Sequence, residues 1–258
     1  MRTVDHGVAR VAWSADLARN DLPGAIDRVR EHVEAALRDH ARVEVHVDPD
    51  DEHGQRVATW TGLRREGVMR GVTVDGEVVD RVVYARLATD HPASHPDGFR
   101  QLLNSFLPRK RAISQMLIRD EDHRVLLCQL TYKKDWDLPG GVVEVGESPQ
   151  LAVSREVEEE LGLTVPARAL LLTDWLPPWA GWDDALCLVF DGGVHRSSIV
   201  DQVVREEREI RGAAFCTLEE VRERCADFTA RRVEASLANV AGPGSTDGGG
   251  PAYTESGS

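Results

Sequence analysis

Apolar and polar residues alternate in Val43-Glu-Val-His-Val47, the two-residue period of a strand with one buried face. Before it, Ile26, Val29, Val33, Ala36 and Leu37 recur at helical spacing, which predicts a helix over 25–40 entered from the turn at Asn20–Gly24. Val8–Trp13 reads as a short strand. Asp48–Asp51 is a turn, with a helix to about Trp60 behind it. Gly67–Ala88 reads as a hairpin turning at Asp75-Gly76. His91–Gly98 has linker composition, and Phe99–Phe106 predicts a short helix docking two parts of the chain. Strands follow at Ile113–Ile118, Val125–Leu130, Leu170–Trp175, Ala185–Phe190 and Ile210–Cys216. Thr217-Leu-Glu-Glu220 is a capping box opening a helix, and Phe228–Val240 is the last helix. Ala241–Ser258 is rich in Gly and Ser and is expected to be disordered.

Between the second and third of those later strands lies Gly141–Leu163, around which the chain is organised. Its second half predicts a helix, with Ser148 as N-cap, Pro149 at the first position and Gly162 as the stop. On that helix Glu156, Glu159 and Glu160 fall at i, i+3 and i+4, so their carboxylates share a face, while Val157 and Leu161 form an apolar stripe on another side. Three carboxylates side by side repel unless a positive charge sits among them. A hard divalent cation meets that need with oxygen ligands, and Arg155 adds a fixed positive charge. Gly140 and Gly141 allow the backbone to come close to a ligand or to the helix.

Composition narrows the classes. The chain has 258 residues, 41% hydrophobic and 29% charged, enough for one large or two ordinary domains. A net charge of −13 argues against nucleic acid and anionic membranes as partners but not against nucleotides, because a bound cation reverses the local field. The four cysteines make no CxxC pair and read as buried or free thiols. With no apolar leader or spanning stretch, the expected location is cytoplasmic.

The spacing Gly141-x5-Glu147-x7-Arg155-Glu156-Val157-x-Glu159-Glu160-x-Gly162-Leu163, led in by Trp136-Asp-Leu-Pro-Gly140, resembles the complete signature of the Nudix hydrolases. The resemblance covers about 110–240 and implies an αβα sandwich, an α/β (α+β) fold. It also implies Mg²⁺- or Mn²⁺-dependent cleavage of the pyrophosphate in a nucleoside diphosphate linked to a group X, either ADP-ribose-like or a modified nucleotide. By resemblance, Glu159 and Glu160 are the main metal ligands, Glu156 assists, and the Gly141 carbonyl adds an oxygen. Glu147 ligates through water or orients Arg155. Glu209 is an extra ligand or the general base, with Glu206 and Glu207 as rivals. Gly140, Gly141, Trp175 and Trp179 are the expected substrate-binding residues, the last two because Trp175–Trp182 is a loop in which a ring could stack on a base. Pro178, fifteen residues past Leu163, stands near the offset of a proline in the ADP-ribose-cleaving branch.

Residues 1–90 have a second resemblance. Asp48-Pro-Asp-Asp51, Arg56-Val-Ala, Gly62–Arg70 and Asp80–Ala85 resemble the C-terminal half of GNAT acyltransferases, which runs strand, helix, strand, helix, hairpin. In the matching phosphate loop Leu22 replaces a glycine, Pro23 has no N–H to donate, and Asp51 and Gly54 replace the family's Asn and Ser. The expected organisation is a partial GNAT-like domain at 1–90, a linker at 91–109, a Nudix domain at 110–240 and a disordered tail at 241–258. Other readings are a remnant or bifunctional N-acyltransferase and a non-catalytic nucleotide-sensing Nudix module; homodimerisation is left open.

Overall fold

The computed structural model describes residues 2–5, 7–14, 21–240 and 250–257. The chain divides into two compact units, Met1–Pro108 and Arg109–Ser258. The elements of the first are β1 (Arg2–Asp5), β2 (Val8–Arg10), α1 (Leu22–Ala36), β3 (Arg42–Val47), α2 (Glu52–Trp60), β4 (Arg64–Val74), β5 (Glu77–Leu87) and α3 (Pro96–Phe106). They build a five-stranded sheet in the order β1-β2-β3-β5-β4, with β2 and β3 parallel and the β4–β5 hairpin antiparallel. The alternation seen in β3 is decisive here. Val43, Val45 and Val47 are buried and share one core with Ala25, Val29, Val33 and Ala36 of α1. Asp75 and Gly76 both have positive φ, as a two-residue hairpin turn requires.

The linker expected at 91–109 contains α3, which belongs to the first unit. Arg65 N–H donates to Ser105 Oγ (3.2 Å), and Leu102 is buried. Any side chain at Gly98 would run into the His91 and Pro92 carbonyls, so the loop before α3 is packed onto it.

The second unit holds β6 (Arg111–Asp120), β7 (Val125–Leu130), β8 (Trp136–Asp137), β9 (Gly140–Val142), α4 (Pro149–Leu161), β10 (Leu170–Leu176) and β11 (Ala185–His195). After these come a 3-10 turn at Ser197–Gln202, β12 (Ile210–Cys216), α5 (Leu218–Arg224), α6 (Asp227–Ala238) and β13 (Ala252–Glu255). The sheet runs β12-β7-β6-β11-β10-β13, with β8 paired to β7 and β9 to β6. Alternate residues of β6 sort the two faces. Met116 and Ile118 pack with Val153, Val157 and Leu161 of α4, whereas Leu117 packs with Val221, Ala230 and Val233 of α5 and α6. The result is the α/β sandwich that the family resemblance implied. All four cysteines are free and buried. No helix among the described residues is long and apolar enough to cross a membrane.

The tail departs from expectation. Residues 241–249 and 258 lie outside the described residues, but 252–255 is a strand parallel to β10. Its composition hides this because Gly and Ser flank only four strand residues, and the hydrogen bonds that order them come from a distant strand.

Candidate active site

Helix α4 ends as the spacing predicts. Gly162 has φ 65°, and its N–H donates to Glu158 O (2.8 Å). Ser148 takes the N-cap position without a side-chain bond, so its capping is by backbone alone: its carbonyl accepts from Leu151 and Ala152. The buried stripe of α4 includes Val157 and Leu161 as expected, and it also includes Glu160.

Glu160 is 6% exposed. Among the described residues its carboxylate accepts one hydrogen bond, from Gly140 N–H (3.0 Å), and no cationic side chain pairs with it. Desolvation, then the Glu156, Glu209 and Asp137 carboxylates, push its carboxyl up to about 8 against the pull of the Gly140 amide. Other buried carboxylates in this unit have cations: Asp174 has Arg232, Asp137 has Lys133 and Asp120 has Arg124.

Arg155 has the opposite role. Its Nε and Nη2 donate to Glu147 (2.9 and 3.0 Å), and its Nη1 donates to Glu156 (3.0 Å) and Glu159 (2.8 Å). These bonds hold the Glu147 carboxyl below its usual range. Glu156 is half-buried; desolvation raises its carboxyl, partly offset by Arg155. The Arg155–Glu147 pair expected from the sequence is therefore present, and one guanidinium also ties down two of the three helix carboxylates.

Gly140 and Gly141 are needed for close approach, but what they approach is protein. A Cβ at Gly140 would lie 2.2 Å from Ser114 O, and one at Gly141 would lie 2.6 Å from Glu156 Oε2. They let β9 lie on β6 and let α4 lie on β9.

The run Glu206–Glu209, distant in sequence, is brought over the C-terminal end of α4. Val204 N–H donates to Leu161 O (2.9 Å) and Glu206 N–H to Glu160 O (3.0 Å). Those carbonyls have no partner within the helix, so the segment completes the helix end. Glu209 O accepts from Thr131 N–H (2.8 Å), which ties the segment to the end of β7. Glu156, Glu159, Glu160, Glu206, Arg208 and Glu209 thereby line one open cleft of about 510 Å³.

Two tryptophans expected at the substrate do not line that cleft. Trp175 is half-buried and donates its indole N–H to Asp184 (3.3 Å). Trp179 turns back on Trp182 through paired backbone bonds, with Ala180 and Gly181 at positive φ, and sets its ring edge-on to Phe228 at 5.8 Å. The aromatic that feels the field of these carboxylates is Tyr132, although it is not one of the residues lining the cleft. Crowding by protein atoms, then the Glu160, Asp137, Glu209 and Glu156 carboxylates, push its hydroxyl up to about 12. With the residue 73% exposed, the carboxylate field is the part that matters. The available signal was an aromatic in the polar stretch Thr131–Asp135, just ahead of the lead-in.

The donor set of the cleft is oxygen only, and its deepest carboxylate lacks a cation, so the residues fit a hard divalent ion. The helix carboxylates are not drawn within 4.8 Å of one another, since Arg155 holds two and Gly140 the third. Among the described residues, only His91, His95 and Asp97 of the first unit are gathered that closely. Their imidazoles stack at 4.4 Å with planes 16° apart, so the ring lone pairs run side by side instead of converging, and Asp97 is already paired with Arg100.

The second unit is similar to known proteins. The family model of the NUDIX domain matches residues 108–237. A MutT-like protein of Streptomyces ambofaciens is 33% identical over 136 residues, covering 51% of this chain and 79% of that protein. The nucleoside triphosphatase NudI of Escherichia coli O1:K1 / APEC is 32% identical over 112 residues, covering 40% and 74% respectively. A solved MutT protein from Methanosarcina mazei Go1 aligns at a TM-score of 0.44 and 24% identity, over 52% of this chain and 97% of that one. This chain belongs to the Nudix family. Membership makes it a hydrolase acting on acid anhydrides, in a family whose enzymes generally use divalent metal ions.

Proposed function

We propose that the second unit hydrolyses the pyrophosphate of a nucleoside diphosphate linked to a further group, using Mg²⁺ or Mn²⁺ held by Glu156, Glu159 and Glu160. The observation that carries this reading is Glu160, a buried carboxylate with no cation beside it. When bound, the ion would neutralise the phosphate oxygens and acidify the attacking water. The chain's own residues supply the rest. Arg155 holds Glu156 and Glu159 in place and anchors Glu147 across the loop. Glu209, with Glu206 as rival, stands across the cleft from the helix, where a carboxylate can take a proton from water. Tyr132 offers an exposed ring within the field of these carboxylates, so stacking of the substrate's base is assigned to it in preference to Trp175 or Trp179.

The test is a panel of nucleoside triphosphates, dinucleoside polyphosphates, nucleotide sugars and ADP-ribose incubated with Mg²⁺ or Mn²⁺. Turnover of at least one compound, with release of a mononucleotide or pyrophosphate, is expected. No turnover of any compound in either metal would leave the nucleotide-sensing reading standing instead.

For the first unit we propose a GNAT-like remnant without acyl transfer. Its elements after β1 follow the order strand, helix, strand, helix, hairpin. At the start of α1 the Asp21 carboxylate accepts the Gly24 N–H (3.0 Å), which places a negative charge and a used donor where a phosphate would sit.

A further inference from the structure

We propose that the C-terminal segment Thr254–Gly257 is a positioning element of the active site, acting through a buried polar chain that ends on the loop holding Glu160. This rests on the assignment of Glu160 as a metal ligand. The chain of contacts is continuous. Thr254 Oγ1 (2.7 Å) and Gly257 N–H (2.8 Å) both donate to Asp174 Oδ1. Asp174 Oδ2 accepts from Arg232 Nε (3.0 Å), and Arg232 Nη1 donates to Gln115 Oε1 (2.9 Å). Gln115 Nε2 donates to Asp137 Oδ1 (2.9 Å), which also accepts the Leu138 N–H (2.9 Å). Gln115 pairs with Gly140 across β6 and β9, and Gly140 N–H donates to Glu160.

Three features make this more than a packing detail. Asp174, Arg232, Gln115 and Asp137 are all buried, so each contact is made in a medium where a lost partner is not replaced by water. Among the described residues Arg232 Nη2 has no hydrogen-bond partner, and the guanidinium is positioned by Asp174, Gln115 and the Phe228 ring at 5.7 Å. The tail is also built to fit. Gly257 has φ +78°, and a Cβ there would lie 2.6 Å from Phe228 O, while Ser256 O accepts from Arg231. The two donors from the tail thus complete the coordination of a buried charge that is fully satisfied only when the tail is docked.

The experiment uses the full chain, stripped of metal, with Thr254→Val, which keeps shape and removes the hydroxyl, and Thr254→Ser, which keeps the hydroxyl. Tyr253→Ala is the control, since that ring is exposed and its hydroxyl donates to Glu255 rather than to the buried chain. Two quantities are read: Mn²⁺ affinity by calorimetry, and amide exchange at Gly140 relative to Leu127 in the core. Thr254→Val is expected to weaken Mn²⁺ binding by about three- to tenfold and to speed Gly140 exchange selectively, with Thr254→Ser and Tyr253→Ala close to wild type. Wild-type values in Thr254→Val, or equal losses in the Val and Ser variants, overturn the proposal. A wild-type chain that binds no Mn²⁺ overturns the metal assignment instead, and Gly140 exchange still decides whether the tail reaches the loop.

Discussion

Glu160 and Arg155 sit one turn apart on the same helix and carry opposite electrostatic histories. The carboxyl of Glu160, raised to about 8 by burial and neighbouring carboxylates, binds a proton more tightly in the folded chain than in the unfolded one. That contribution to stability is complete below the unfolded value and is lost as pH rises towards about 8. In chelator, the melting temperature of the wild type should therefore fall between about pH 5 and 8, and Glu160→Gln should lack that share of the slope. The same variant should lose at least about 100-fold in turnover, as removal of a major charge stabiliser does, and should melt no lower than wild type at pH 8. A Glu160→Gln chain that melts well below wild type in chelator yet still turns over would mark Glu160 as structural. Arg155→Gln should behave differently. It releases Glu147, Glu156 and Glu159 at once, so both melting temperature in chelator and turnover should drop. Spacing put the three helix glutamates on one face, and the family resemblance added Glu147 as a partner of Arg155. Spacing did not show that Glu160 faces the core side, because a three-residue step and a four-residue step differ in angle by only part of a turn.

At the scale of elements, the junction between α4 and the segment after the 3-10 turn decides whether the cleft has two walls. Gly162 must take a left-handed conformation, and a Cβ there would lie 3.0 Å from Val204 Cβ and 3.3 Å from Val204 O. Gly162→Ala should cost at least about 1 kcal/mol in a denaturant titration. It should also lower turnover beyond the loss of folded protein, because it pushes Glu206 and Glu209 off the helix end. Turnover per folded molecule equal to wild type would show that those two glutamates are dispensable. The strands and helices themselves were readable from periodicity, and β12 matches its expected span. Misreadings fell where local sequence carries no tertiary information. The helix expected at Phe99–Phe106 is present as α3, but what packs it into the first unit, Gly98 against two carbonyls and buried Leu102, is not written in its local sequence. The tail segment is specified by Asp174 and α6, 80 and 25 residues away.

At the scale of the molecule, the chain is acidic, at −13, and consists of two units with separate cores. Acetyl-CoA should produce no measurable heat on titration at micromolar concentrations, because Pro23 has no N–H and Asp21 already uses that of Gly24. Micromolar binding would instead make the first unit a working acyl-CoA site and revive a bifunctional enzyme.

What the sequence by itself determined is most of the regular elements and the shared face of the α4 carboxylates. Both depend on residues a few positions apart, where helix and strand geometry translate spacing directly into a shared face. What only the tertiary structure decided is which distant groups complete that chemistry. Glu206 and Glu209 reach the cleft because the helix end needs donors for its carbonyls. Tyr132 comes under the field of the cleft's carboxylates because Thr131 is bound to the same segment through Glu209 and Arg208. The tail reaches the Gly140 loop because buried charges must be satisfied wherever partners can be found. Those pairings span tens of residues, and no local periodicity records them.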